Sequence, residues 1–434
     1  MIKEIYSYYK ASSGISIDSR TLKNGELFFA LRGDTYDGST FIEDAISKGC
    51  TYAVTDNPEA SNRANVILVK DVLETLQELA AYHRKKWAGK VLAITGSNGK
   101  TTTKELVSAV LSEKYRIIAT RGNLNNHIGV PLTLLQITNE ELAVIEMGAN
   151  HAGEIALLCK IADPDAGIIT NIGKAHLEGF GDIGGVTRAK GELFEYLAEK
   201  GGMAIVNMSD PRIAPLVNKA GLKKWSYGMD PAFDVFGQLT GSEDQIRGTV
   251  THEKKPINVT SSLFGEYNFI NILAAATAGV YFKVQGSKIE IAIKGYTPDN
   301  NRSQILKGQS NTLILDAYNA NPTSMAAALS EFDKREAAKK MVILGEMLEM
   351  GKATREEHEL ILNQLTQLSI DKVLLVGANF YDFTGDVRFP FIYFKNLKSC
   401  IVYLEELRPR DYLILLKGSR KNMLEQTTNY LLDC

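Results

Sequence analysis

Val91-Leu92-Ala93-Ile94-Thr95-Gly96-Ser97-Asn98-Gly99-Lys100-Thr101-Thr102 is the stretch on which the reading of this chain turns. Val91 to Ile94 is a short apolar run without alternation, as expected for a strand buried on both faces. Gly96 and Gly99 let the backbone curl so that its N–H groups point at phosphate oxygens. Leu106, Val107, Val110 and Leu111 then recur at helical spacing, and a helix N-terminus adds a partial positive charge. Lys100 is placed to reach the β- and γ-phosphates, and the Thr101 hydroxyl to ligate Mg²⁺. The pattern is Gly-x-x-Gly-Lys-Thr, with Ile94 where the commoner phosphate loop has its first glycine. Strand, glycines, Lys and Thr coincide, so ATP or GTP binding is the expectation.

Outward from this loop the same rhythm repeats. Apolar runs recur at Ala143 to Ile145, Ala166 to Ile169 and Met203 to Val206, with helical stretches between most of them. That is the signature of a mostly parallel, helix-covered sheet. Turn formers cluster at Gly295 to Asn301. A second series follows at Thr312 to Leu315, Met341 to Leu344, Lys372 to Val376 and Tyr412 to Leu416. Upstream, the first ~88 residues mix short strands and turns, among them Gly25 to Leu31 and the loop Gly33-Asp34-Thr35-Tyr36-Asp37-Gly38. A helix is expected over about Val72 to Trp87, ended by Ala88-Gly89. The fold class is α/β in three domains, 1–88, 89–298 and 299–434, as a length of 434 residues suggests at roughly 150 residues per domain.

Composition sets limits on partners. Hydrophobic residues make up 44% and charged residues 23%, which fits a globular chain. Lys plus Arg is 49 against 51 Asp plus Glu, a net charge of −2, so there is no electrostatic case for nucleic acid or a membrane surface. The longest nearly uncharged apolar run, Phe269 to Phe282, is shorter than the ~20 residues of a membrane span. Met1 to Tyr6 does not read as a signal peptide. Cys50, Cys159, Cys400 and Cys434 form no Cys-x-x-Cys pair, so reduced thiols are expected rather than disulfides or zinc. A cytoplasmic monomer with no stable membrane association is expected.

A phosphate loop supplies one protein ligand to Mg²⁺, and further ligands belong at the carboxyl ends of neighbouring strands. Glu146 follows Val144-Ile145. His176 lies in the polar cluster Thr170 to His176 after another apolar run. Taken alone, Glu146 could be structural, His176 an ordinary hydrogen-bonded histidine, and Lys190 an exposed helical lysine. In the last third, Asp316, Glu346 and Lys417 each follow an apolar run, which suggests a site on one rim.

Together these motifs resemble the Mur ligases, ATP-dependent amide-bond ligases of peptidoglycan precursor synthesis, over essentially the whole chain. The resemblance rests on Thr95 to Glu105, Gly122-Asn123-Leu124-Asn125-Asn126-His127-Ile128-Gly129-Val130-Pro131, Glu146-Met147-Gly148, Ala175-His176-Leu177-Glu178, Asp316-Ala317-Tyr318-Asn319-Ala320-Asn321-Pro322, Gly345 to Gly351 and Lys417-Gly418-Ser419-Arg420. The first segment is shared across the family and with folylpolyglutamate synthetases. Tyr318 to Pro322 and Lys417 to Arg420 point to the branch that adds a dipeptide. The Asp-Asn-Pro-Arg motif expected where meso-diaminopimelate is added is absent.

The resemblance implies a uridine-nucleotide-binding first domain, a central ATP-binding domain and a Rossmann-like last domain that brings in the amine. It implies UDP-N-acetylmuramoyl-tripeptide and D-alanyl-D-alanine as substrates, joined through an acyl phosphate. Within it, Asp18, Ser19, Arg20, Arg32 and Gly33 match the uridine stretch, while Ser39 stands where the family often has His. ATP would meet Gly96, Ser97, Asn98, Gly99, Lys100, Thr101 and Thr102, the adenine segment Asn268 and Asn271, the hinge residue Arg302 and the ribose contact Asp316. Asn123, Asn126, Asn319, Asn321, Lys417 and Ser419 would face the other substrates. Two Mg²⁺ ions are implied, held by Thr101, Glu146, His176 and a carbamylated Lys190. CO₂ adds only to a neutral amine, so the site must depress the lysine pKa, for example by burial. The rivals are another Mur-type or folylpolyglutamate-type ligase, and a nucleotide-dependent switch without ligase chemistry.

Overall fold

Apolar runs too short to be helices and buried on both faces become the central strands of three sheets. The computed structural model describes residues 1–33, 35–243 and 245–432. Asp34 and Cys434 lie outside the described residues. The first sheet has four parallel strands in sequential order, β1 (Ile15–Ser16), β2 (Leu27–Phe29), β3 (Tyr52–Thr55) and β4 (Val66–Leu68). The second has nine: β5 (Lys90–Thr95), β6 (Ile117–Ala119), β7 (Leu142–Glu146), β8 (Ala166–Ile169), β9 (Met203–Asn207), β10 (Lys223–Gly228), β11 (Val235–Gly241), β12 (Ile246–His252) and β13 (Lys255–Ser261). Its order is β13-β12-β11-β10-β9-β8-β5-β7-β6. The third has six strands, β14 (Gln304–Lys307), β15 (Thr312–Asp316), β16 (Lys339–Gly345), β17 (Lys372–Val376), β18 (Ile392–Phe394) and β19 (Tyr412–Lys417), ordered β14-β15-β19-β16-β17-β18. The fold is α/β and mostly parallel.

In the second sheet the chain leaves β5 for β6 and β7 on one side and then crosses to β8 on the other. Such a reversal opens a crevice at the carboxyl ends of the strands, and the phosphate loop sits in it. The helix Lys100–Ser112 runs from that crevice with Leu106, Val107, Val110 and Leu111 buried. It packs on the helix Asn268–Tyr281, which absorbs the long apolar run. Gly279 allows the two helices to pack tightly, since a Cβ there would lie 2.6 Å from Val110 Cγ1. Among the described residues no helix is long and apolar enough to cross a membrane.

Three readings of the sequence need correction. The helix beginning at Val72 is capped by Asp71, which accepts from Glu74 N at 2.7 Å, and it ends at Lys86 because Trp87 is already extended. The sequence reading did not identify β11 to β13, an antiparallel extension of the second sheet. Their hairpin turns at Glu253 and Lys254, both with φ near the left-handed region (49° and 62°), a conformation usually signalled by Asn-Gly. Lys190, an exposed helical lysine when read alone, is fully buried. Cys50, Cys159 and Cys400 are free, buried thiols.

The core of the first sheet continues without a break into the second. Leu76 and Leu79 of the helix Val72–Lys86 share one apolar cluster with Val130, Leu134, Leu158 and Ala162. Polar side chains span the same seam. Tyr9 donates to Leu135 O at 2.8 Å, and the His83 ring meets Ile137 O at 3.0 Å. Buried Arg84 reaches Ala162 O (3.0 Å), Asp163 O (3.0 Å) and Asp165 Oδ2 (2.8 Å), with its guanidinium over Trp87. Arg84→Ala removes the donor to the carbonyls of Trp87, Gly89, Ala162 and Asp163 and to the Asp165 carboxylate. It is expected to destabilise the protein by about 3 kcal/mol, read as a lower denaturant midpoint in urea unfolding.

Candidate functional site

The turn after β5 is held by what its own polar groups bond to. Ser97 Oγ donates to Gly173 O (3.0 Å) and accepts from Gly173 N (2.9 Å). Asn98 N donates to Asn171 Oδ1 (3.0 Å), while Thr170 Oγ1 (2.6 Å) and Asn171 Nδ2 (3.0 Å) donate to Asn98 O. Gly96 has φ +145°, and a Cβ there would meet Thr170 Oγ1 at 2.0 Å, so only glycine lets the loop lie against the end of β8. Gly99, at φ +75°, caps the helix Lys100–Ser112. Lys100 Nζ folds back onto Gly96 O (2.7 Å) and Ser97 O (3.2 Å). Burial lowers its pKa, the carboxylate of Glu146 opposes this, and Arg302 reinforces it.

A cavity of about 770 Å³ opens over the loop. The loop residues Ser97 to Thr102 line it, as do Asn123, Asn126, Glu146, His176, Asn268, Asn271, Arg302, Asp316, Asn319 and Lys417. Glu146 ends β7 and is buried. Its Oε1 accepts from Asn125 Nδ2 at 2.8 Å, and its Oε2 has no hydrogen-bond partner. Asn126 accepts from Gly129 N at 2.9 Å. Thr103 Oγ1, Asn271 and Asn268 form a chain of bonds (3.2 and 2.7 Å) that ends on Phe264 O.

The third sheet supplies the opposite wall. β15 and β19 are parallel neighbours with Asp316 beside Lys417, and these close an ion pair of 2.5 Å. Asp316 Oδ1 also accepts from Ser303 N. The guanidinium of Arg302 stacks 3.8 Å over Tyr318, and its Nε is buried without a partner. Asn321 caps the helix Pro322–Asp333 through Oδ1, while its Nδ2 donates to Asn98 Oδ1 at 2.7 Å. Ser419 Oγ donates to Glu346 O, outside the cavity lining. The rim expected from Asp316, Glu346 and Lys417 is real in register, since β15, β19 and β16 are adjacent, but Glu346 turns to Asn379 N (2.9 Å) instead.

Lys190 lies behind the cavity wall rather than in it. Its Nζ donates to Ala149 O at 3.3 Å and sits 5.2 Å from the Phe180 ring centre. Burial, with Lys100 adding to it, pulls its pKa down to about 7. His176 is bonded through Nδ1 to Glu349. Among the described residues no three His, Cys, Asp or Glu side chains stand together to hold a metal ion. The residues matched to uridine are not in this cavity. Asp18 and Arg20 pair with each other at 2.7 Å, Ser19 O accepts from Lys48 Nζ, and Arg32 lies between Asp37 and Asp56. Gly33 packs under Tyr36.

Sequence reasoning missed Thr170 and Asn171 as the clamp on the loop, and Asp210, Arg212 and Thr323 as lining. The clamp had a signal, two hydrogen-bonding side chains directly after an apolar run. Asp210 and Arg212 sit in an irregular stretch and had none.

Known proteins resemble the chain throughout. Residues 12–84 match a family model described as Mur ligase family, catalytic domain. Residues 94–279 match the Mur ligase middle domain, and 301–420 match a model described as Mur ligase, glutamate ligase domain. The UDP-N-acetylmuramoyl-tripeptide--D-alanyl-D-alanine ligase of Bacillus subtilis (strain 168) is 34% identical over 433 residues, 97% of this chain and 93% of that one. The enzyme of the same name from Escherichia coli (strain K12) is 33% identical, covering 96% and 93%. A crystal structure of MurF from Acinetobacter baumannii superposes with TM-score 0.88 at 30% identity, covering 98% of this chain and 97% of that chain. With such likeness from end to end, the chain belongs to the Mur ligase family.

Proposed function

We propose that this protein joins D-alanyl-D-alanine to UDP-N-acetylmuramoyl-tripeptide at the expense of ATP, a step of peptidoglycan precursor synthesis. The observation that carries this reading is one cavity walled on one side by a phosphate loop and on the other by Lys417 of the third sheet and Asn319 just after its strand β15. Relatives of nearly equal length carry the name of that activity. Residues 1–88 would hold the uridine end through Asp18, Ser19, Arg20, Arg32 and Gly33. Residues 89–298 would hold ATP and 299–434 the incoming amine, with Asn123 and Asn126 on the cavity wall and with Asn321, bonded to Asn98, and Ser419, bonded to Glu346 O, acting from beside it.

A carboxylate oxygen is a poor leaving group, so the tripeptide carboxylate first attacks the γ-phosphate to give an acyl phosphate and ADP. The amine of D-alanyl-D-alanine then attacks the acyl carbon and orthophosphate leaves. Two anions must meet, and Lys100, released from its own loop carbonyls, neutralises charge where it develops. Asn268, Asn271, Arg302 and Asp316 would seat the nucleoside. The enclosing walls keep water from the acyl phosphate.

A cation fits beside Glu146, whose buried Oε2 lacks any partner, with the Thr101 hydroxyl on the same cavity wall. Mg²⁺ held there by Glu146 and Thr101 would supply charge neutralisation where the two anions meet. A second ion would be held by Glu146, His176 and Lys190 as its carbamate. Burial lowers the Lys190 pKa to about 7, so a large share of the amine is neutral near pH 7, the form that adds CO₂ and then loses a proton.

Orthophosphate release is expected only when ATP, Mg²⁺, the UDP-tripeptide and D-alanyl-D-alanine are all present. Equal turnover with a single amino acid in place of the dipeptide would favour another ligase of the family. Lys100→Ala is expected to lower kcat by roughly 10³-fold, about 4 kcal/mol of barrier, while calorimetry shows unchanged UDP-substrate binding. Lys190→Ala is expected to be inactive and partly restored by acetate with Mg²⁺. In ¹³C NMR with labelled bicarbonate, parent protein should show a carbamate signal that Lys190→Ala lacks. The signal should fall as pH drops below about 7, because the amine then takes up a proton.

A further inference from the structure

At the junction of the second and third sheets two strained residues touch. His176 has φ 51° and Glu349 φ 63°. Left-handed backbone is unfavourable for residues with a side chain and persists where the surroundings over-determine it. The His176 Nδ1 and the Glu349 carboxylate are hydrogen-bonded, and Glu178 N donates to Glu349 O at 3.2 Å. Two further contacts fasten the same junction, Lys174 to Glu357 at 2.5 Å and Lys174 N to Thr323 Oγ1 at 3.2 Å. The Glu349 side chain is 54% exposed, so burial does not account for its placement.

We propose that Glu349 is a positioning residue for the ligation reaction, orienting the His176 imidazole from across the junction. With Nδ1 taken by the carboxylate, Nε2 is the ring nitrogen left for the cavity that His176 lines. A carboxylate on one ring nitrogen fixes the tautomer and the ring orientation. Glu349 belongs to the third segment, so His176 is held only once that segment has docked. Docking of the amine-bearing segment and readiness of the histidine thereby become one event. The inference rests on the reading above that His176 serves the metal.

The test is steady-state kinetics with Mg²⁺ titration on Glu349→Ala, Glu349→Gln, His176→Ala and the double alanine variant. Glu349→Ala is expected to lower kcat about tenfold or more and to raise the Mg²⁺ concentration giving half-maximal rate. KM for ATP and for the UDP-substrate should stay within about twofold. Glu349→Gln, whose amide oxygen still accepts from Nδ1–H, should keep most of the rate. The double variant should be no slower than His176→Ala alone. A parent-like Glu349→Ala beside an impaired His176→Ala would overturn the inference, as would losses that multiply in the double variant. Equal losses in both Glu349 variants with a lowered melting temperature would mark a purely structural residue and overturn it too. A parent-like His176→Ala would remove the metal-ligand reading and the inference together.

Discussion

The structure depends on pinning the turn between Gly96 and Gly99, whose Ser97 and Asn98 amides both donate to Asn171, so that the helix N-terminus after it faces the cavity. The turn is bonded to the segment after β8, Ser97 to Gly173, and Asn98 to Thr170 and Asn171. The two strand ends thus form one object. The reversal of strand order at β5 brings these ends side by side, and glycine at 96 lets them touch.

The opposite wall follows a different rule. Asp316 and Lys417 neutralise each other at the ends of adjacent parallel strands, so a buried charge pair stands where nucleotide and amine are expected to meet. Breaking such a pair by removing one member is costly, which keeps both ends in register. Arg302, stacked on Tyr318 with an unpartnered Nε, is the unspent cation of that wall. Asn321 ties the wall to the loop by using both ends of one amide, the oxygen for its own helix and the nitrogen for Asn98.

Much of this was legible in the sequence because it follows from local chemistry. Gly96, Gly99, Lys100 and Thr101 announce a phosphate loop by type and spacing, and Glu146, Asp316 and Lys417 announce themselves by following apolar runs. Lys190 was illegible from its neighbours, since Thr187 to Glu192 is polar and only the packing of Phe180 and Ala149 around it shows the burial. The bonds from Asn171 to Asn98 and from Glu349 to His176 join residues 73 and 173 positions apart, and spacing carries no trace of them. The antiparallel strands β11 to β13 escaped because Glu253 and Lys254 turn the hairpin in a conformation their side chains do not advertise.

The unbroken apolar seam beneath Arg84 has a further consequence. The first sheet and the phosphate loop ride on one core, whereas the third sheet meets them through Phe264 and side-chain pairs such as Lys334 with Glu266. Whatever the first sheet grips is therefore carried at a fixed span from the triphosphate. On the proposed reading the fused pair would act as a ruler, matched to reactants whose tail spans that distance.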